Sequence, residues 1–300
     1  LSAFKKILAH VDTETKRLDA WHRALRLAEA SGGAVTLIDV IEELPVFLRS
    51  SAHGGPSLLE TLKKEKRAEL SALADEARDR NIDVRVEVVY GKPFVELTKA
   101  VLQDGYDVVL ETIDAGVLNL HGGVALKLMR KCPCPVWAVR PDRGESVRRI
   151  VAAVDPMSEY DADNGLDRAI LDTALEVAEL EGAEVHVVHA WGGRVVEQAV
   201  FGPFAPELGE YAKEQMAALL ESYADDIPAE RVHVELGDAD HVILETAKSV
   251  DADLLVMGTI VRTGFQGVLM GNTAERVLSN VPCSVLALKP SGFESPVSAD

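Results

Sequence analysis

The chain is short of cysteine, of proline and of positive charge, and it has no long apolar run. Its 3 cysteines, Cys132, Cys134 and Cys283, are an odd and sparse set that excludes a secreted disulfide framework and fits a reducing compartment. With 13 prolines, 47% hydrophobic and 27% charged residues, it is neither a disordered nor a fibrous chain. Lys and Arg total 31 against 49 for Asp and Glu, a net charge of -18, which argues against wrapping a phosphate backbone and removes nucleic acid from the expected partners. No apolar stretch approaches the roughly 18 residues that suggest a bilayer crossing. The opening LSAFKKILAHVD has no separate basic, apolar and cleavage regions of a secretory signal. The expectation is a cytoplasmic protein without membrane insertion.

What the sequence does contain is itself, twice. KKILAHVD, Lys5 to Asp12, aligns without a gap with RRIVAAVD, Arg148 to Asp155. AVTLIDV at Ala34 to Val40 answers EVHVVHA at Glu184 to Ala190, and VRVEVVYGKP from Val84 answers VHVELGDA from Val232. YDVVLET, Tyr106 to Thr112, answers ADLLVMG, Ala252 to Gly258, and the halves close on CPCPVWAVRP and VPCSVLALKP. The short Val/Ile/Leu-rich runs read as buried parallel strands. Between them lie helical patterns, with Leu18, Trp21, Leu25 and Ala28 on one face in the first copy and Leu166, Ile170, Ala174 and Val177 in the second. Acidic helices around Glu60 to Glu76 and Glu207 to Glu221 read as solvated faces. The alternation predicts an α/β protein of two tandem Rossmann-like domains, each with a five-stranded parallel sheet, helices on both faces and right-handed crossovers. The boundary is expected in PDRGESV, giving domains 1–143 and 144–300. Tandem copies can pair within one chain, and further association into a homo-oligomer stays open.

In such sheets ligands bind beyond the carboxyl ends of the strands, where strand order reverses. The first strands end at Asp12 and Asp155 and the fourth at Thr112 and Gly258. No G-x-G-x-x-G follows either first strand and no Walker lysine motif occurs, which argues against a classical dinucleotide site or a P-loop. The fourth strand of the second copy instead runs into GTIVRTGFQGVLMGNTAERV, Gly258 to Val277. Amides of Gly271, Asn272 and Thr273 at the helix entrance could receive a phosphate, and Arg262 could add a positive charge. The same residues have a plainer explanation, because Asn272 followed by Glu275 is also a capping-box pattern. In the first copy Thr112 stands where Gly258 stands, the connection is shorter, and Gly122 and Gly123 replace Gly271 and Asn272.

The VD after each first strand, the KCPCPVW segment, and GTIVRTG followed by GNTAERV together resemble the tandem universal stress proteins, over essentially Phe4 to Pro290. The resemblance implies a stress-response protein without catalysis. Nucleotide-binding relatives carry Gly, two residues, Gly, nine residues, Gly and then Ser or Thr, and an acidic residue after strand one approaches the nucleoside. On that pattern the second copy supplies Asp155, Gly258 and Gly271, with Ala190 and Met257 on the adenine side, so the resemblance implies ATP or ADP as the ligand. Val261 replaces the second Gly and Asn272 the hydroxyl residue. The competing expectation is a tandem scaffold, or a binder of an apolar small molecule, without nucleotide. An enzyme is disfavoured, since no general base and metal clamp are evident near the loop.

The remaining polar residues have structural explanations. Two cysteines in C-P-C cannot complete a four-ligand zinc site, so buried last-strand cysteines are expected over redox chemistry. His10, His186, His189 and His233 lie in or beside strands, and His186 and His189 face opposite sides, so no ligand pair and no metal are expected. Asp12 and Asp155 can equally serve as first-turn or helix-entry residues.

Overall fold

A computed structural model describes residues 4–43, 55–113, 123–141, 146–158, 165–192, 205–261 and 269–299. In the first half the elements are β1 (Lys6–His10), α1 (Asp19–Ser31), β2 (Ala34–Ile41), α2 (Gly55–Arg78), β3 (Val84–Tyr90), α3 (Pro93–Asp104), β4 (Val108–Thr112), α4 (Val124–Lys131) and β5 (Val136–Val139). In the second they are β6 (Arg149–Ala153), α5 (Leu166–Glu181), β7 (Glu184–Trp191), α6 (Ala205–Leu220), β8 (Val232–Leu236), α7 (Ala239–Ser249), β9 (Leu254–Gly258), β10 (Ile260–Val261), β11 (Leu269–Met270), α8 (Asn272–Asn280) and β12 (Ser284–Leu288).

All strand pairings inside the first half are parallel, in the order β3-β2-β1-β4-β5. The second half repeats that order as β8-β7-β6-β9-β12. The expected α/β plan of tandem Rossmann-like domains is therefore present, with five parallel strands in each half. The chain moves outward from β1 to β3, then returns to β4 on the other side of β1. With right-handed crossovers, α1 and α2 cover one face and α3 and α4 the other. Strand order reverses between β1 and β4, and again between β6 and β9, so the crevice for a ligand opens there.

The apolar periodicity has direct packing consequences. Trp21, Leu25 and Ala28 are buried where α1 lies on β1, β2, β4 and β5. Ile170, Ala174 and Val177 are buried where α5 lies on β6, β7, β9 and β12. A fully buried Leu or Ile contributes about 1.5–3 kcal/mol, and the strands between supply many such residues, among them Ile7, Leu8, Val108, Leu110, Leu254 and Leu286. Both helices end alike: Gly32 (φ 64°) and Gly182 (φ 69°) take the left-handed conformation and return an N–H to the carbonyls of Ala28 and Ala178. Glycine serves both ends because a side chain is strained there.

The described residues divide into two compact units, and residues 295–299 group with the first half instead of with the strand they follow. Within that unit the Ser295 hydroxyl donates to the Lys131 carbonyl at 2.8 Å, and Gln103 Nε2 donates to the Ala299 carbonyl at 2.8 Å. Among the described residues no helix is long and apolar enough to cross a membrane.

Candidate functional site

In the second half the crevice is built from the chain just beyond β6, the end of β7 and the end of β9. The Asp155 amide donates to both carboxylate oxygens of Asp167, at 2.9 and 3.1 Å. Asp167 is buried in the first turn of α5, where the helix N-terminus favours a negative charge. This contact fixes the backbone while leaving the Asp155 carboxylate 66% exposed. Beneath it, His189 Nδ1 lies 3.2 Å from the Val154 carbonyl and 3.7 Å from Asp155 Oδ1. A carbonyl can only accept, so Nδ1 carries the proton. Burial pushes the His189 imidazole below its ordinary value, against the pull of the Asp155 charge and the Val154 carbonyl. The ring is neutral, and its buried Nε2 has no hydrogen-bond partner among the described residues.

Ala190 follows in β7, in register with Glu235. Met257 is buried in β9, in register with Ala153 and Ala287. Gly258 has a packing reason to be glycine that the sequence does not reveal: a Cβ there would stand 2.7 Å from Leu166 Cδ2 of α5. The chain beyond it is not wholly a loop. β10 and β11 pair antiparallel, Val261 opposite Leu269, and the Gly271 amide then reaches the Thr259 carbonyl at 3.3 Å. Val261 therefore sits on a ladder at the place of the motif's second glycine.

The entrance of α8 corrects one expectation. Gly271, with φ -64° and ψ 143°, is the cap, its carbonyl accepts the Glu275 amide at 3.0 Å, and as a glycine it brings no side-chain cap to the helix. Asn272 is already the first helical residue, so the Asn272–Glu275 capping box does not form. The amides of Asn272 and Thr273 belong to the first turn, whose N–H groups have no partners within the helix. Asp155, Ala190, Met257, Gly258, Gly271, Asn272 and Thr273 thus lie at the carboxyl ends of neighbouring strands and at the adjoining helix start. Arg262 lies outside the described residues.

The first half fills the corresponding region with its own charges. Thr112, in place of Gly258, accepts the Ala20 amide at 2.9 Å and so holds the start of α1. Glu111, in place of Met257, is buried with His10, Nδ1 to Oε2 at 2.5 Å. Burial pushes the His10 imidazole down, but Glu111, by charge and hydrogen bond, together with the charges of Asp39 and Asp12, raises it above its ordinary value. Asp39, in place of His189, accepts from the Thr13 amide at 3.2 Å and hydroxyl at 2.7 Å, and Lys66 Nζ reaches the same oxygen at 3.0 Å. Lys66 also donates to the Thr13 hydroxyl at 3.0 Å. Its side chain is 8% exposed, so the acidic helix around it is not solvated at this point. The buried positions Lys66, Leu70, Ala74 and Ala77 of α2 are spaced like Ala212, Met216, Leu220 and Tyr223, so Ala212 stands where Lys66 does. Asp12 behaves as a turn residue, accepting the Glu14 amide at 2.9 Å.

Sequence reasoning missed Asp39, Lys66, Glu111 and Asp167 altogether. The signal available was polar residues at equivalent repeat positions, such as Asp39 against His189. It also missed that His186 meets His233 across β7 and β8, Nδ1 to Nε2 at 3.2 Å. Burial, then the neighbouring His233, pushes the His186 imidazole below its ordinary value. Among the described residues no group of three His, Cys, Asp or Glu could hold a metal. Cys132, Cys134 and Cys283 are all buried, as a packing role requires.

The universal stress protein family matches residues 3–140 and again 146–289. Universal stress protein E of Photorhabdus laumondii is 26% identical over 100% of this chain and 99% of its own length. The universal stress protein E homolog of Haemophilus influenzae is 28% identical, over 96% and 98%. A crystal structure of a functionally unknown protein from Pseudomonas aeruginosa PAO1 covers 96% of this chain and 93% of its own, with a TM-score of 0.74 and 26% identity. Two consecutive matches, relatives aligned along their whole length, and the repeated β3-β2-β1-β4-β5 order agree: the chain belongs to the universal stress protein family, as a tandem two-domain member.

Proposed function

We propose that this is a noncatalytic stress-response protein of the cytoplasm whose second half, within a 144–300 domain, binds an adenine nucleotide, ATP or ADP. The observation that carries the reading is the start of α8. Its first-turn amides have no partner within the helix, receive no side-chain cap from Gly271 and follow directly on β11, so a phosphate placed there meets N–H donors and the positive end of a helix. Asp155 offers an exposed carboxylate for ribose hydroxyls, and Ala190 and Met257 offer the apolar surface for a base. In the first half, by contrast, His10–Glu111 and Asp39–Lys66 occupy the equivalent positions, and that half has no nucleotide role in this reading.

Calorimetric titration of the full chain with ATP, ADP and AMP, with and without magnesium, tests it. A nucleotide that selects the folded state must also raise its stability, by about 2.7 kcal/mol at a hundredfold excess over Kd. Saturable heat with a matching thermal shift supports the reading, and no response to any nucleotide at millimolar concentration refutes it. A second reading, a tandem scaffold or apolar-ligand binder, is favoured by one observation. Val261 is held in the β10–β11 ladder where nucleotide-binding relatives keep a glycine.

A further inference from the structure

We propose that Cys132 and Cys134 are a dithiol that peroxide oxidises to an intrachain disulfide, which makes the junction of α4 and β5 a redox-responsive site. The two sulfurs are 3.6 Å apart. A disulfide needs about 2.05 Å, so each side chain has less than an ångström to move. Cys132 directly follows α4, in extended conformation with φ -74° and ψ 133°, and Cys134 leads into β5. Pro133 between them has a fixed φ, which limits the ways this short segment can part the two side chains. The Cys134 thiol reaches the Pro135 carbonyl at 3.5 Å, and either sulfur can donate across the contact between the two.

The two thiols differ in access. Cys134 is 8% exposed and Cys132 0%, so peroxide, a molecule little larger than water, meets Cys134 first. The Cys134 thiolate attacks one peroxide oxygen. The O–O bond breaks, and the departing hydroxide takes up a proton to become water. Cys134 is left as a sulfenic acid. The Cys132 sulfur then attacks the Cys134 sulfur, the S–O bond breaks, and the leaving oxygen departs as a second water with the proton from Cys132. Two thiols and one hydrogen peroxide give one disulfide and two waters, and a reducing thiol reverses the change. The second half supplies an internal comparison. Cys283 stands where Cys134 does and is 0% exposed, but Val281 stands where Cys132 does, so no second thiol of that half is available for closure.

The test is hydrogen peroxide treatment of the folded full chain, followed by unfolding, alkylation and mass spectrometry. The expected product has one alkylated thiol of the original 3, a mass lower by two hydrogens, and a peptide linked through Cys132 and Cys134; dithiothreitol restores all 3. C132S should instead trap the sulfenic acid at Cys134, visible as a dimedone adduct. C283S, whose dithiol is untouched, should form the disulfide as the wild type does, so the proposal survives misfolding of C132S. After peroxide treatment, retention of all 3 alkylatable thiols in the wild type and of both remaining thiols in C283S, or a linkage that includes Cys283, would overturn the proposal.

Discussion

Removing the ammonium of Lys66 should cost more than removing the carboxylate it faces. Lys66 and Asp39 have side chains 8% and 1% exposed, with Nζ to Oδ2 at 3.0 Å. In Lys66→Met the apolar stem still packs, but Asp39 keeps only the Thr13 amide and hydroxyl as donors and cannot reach water. Breaking a buried pair from one side costs about 3–5 kcal/mol. For a unit of this size that is a fall in Tm of about 6–20 °C, at roughly 2–4 °C per kcal/mol. In Asp39→Ala the long lysine can swing its head toward solvent and toward Glu14, 3.7 Å away and 81% exposed, so the loss should be on the order of 2 kcal/mol. The double change Lys66→Met with Asp39→Leu removes both charges and should recover to within about 1 kcal/mol of wild type. Urea unfolding followed by tryptophan fluorescence reads this directly, because Trp21 and Trp137 are both buried in the first half. A Lys66→Met loss below about 0.5 kcal/mol, the range of an exposed pair, would refute the reasoning, as would a double variant worse than either single one.

Other consequences follow from the same geometry. His10 binds its proton more tightly folded than unfolded, so its contribution is fully present below about pH 6.5 and fades as pH rises through its folded value; Glu111→Gln should flatten that slope in urea midpoints between pH 5 and 9, and an unchanged slope would contradict the assignment. His186 and His189 shift the opposite way, so their contribution is present above about pH 6.5 and lost on acidification; imidazole resonances that titrate at or above 6.5 would be the contrary result. Gly258→Ala forces Leu166 aside, and adding Leu166→Ala should relieve part of the cost, with a coupling of about 0.5–3 kcal/mol in a double-mutant cycle; strict additivity would show that the close approach is immaterial.

The repeat made much of the fold legible. KKILAHVD and RRIVAAVD mark β1 and β6, although the strands end two residues before Asp12 and Asp155, at His10 and Ala153. The helix entrance near Gly271 was readable from its glycine, but not its cap: Asn272 has the chemistry for capping, and backbone geometry gives the position to Gly271. The buried polar pairs were opaque for another reason. His10 and Glu111 lie on adjacent strands separated by 101 residues in sequence. Lys66 stands in a run of Lys and Glu that looks solvated until β2 places Asp39 beneath it. The packing reason for Gly258 was hidden as well, because its contact with Leu166 depends on how closely α5 lies on β9, which periodicity does not encode.

The central claim, that the first-turn amides of α8 seat the phosphates of an adenine nucleotide, is tested most directly by comparing Asn272→Pro with Asn272→Ala in calorimetric titrations with ATP. Proline is tolerated at the first helical position, and Gly271 before it already has the extended conformation that proline demands. Asn272→Pro therefore deletes one amide donor and leaves the helix in place. Asn272→Ala removes the side chain and keeps that donor. A hydrogen bond to a charged group contributes about 1.5–3 kcal/mol, so Asn272→Pro should weaken ATP binding by roughly ten- to a hundredfold while Asn272→Ala stays near wild type. Equal affinity in both variants, or loss in Asn272→Ala alone, would contradict the account.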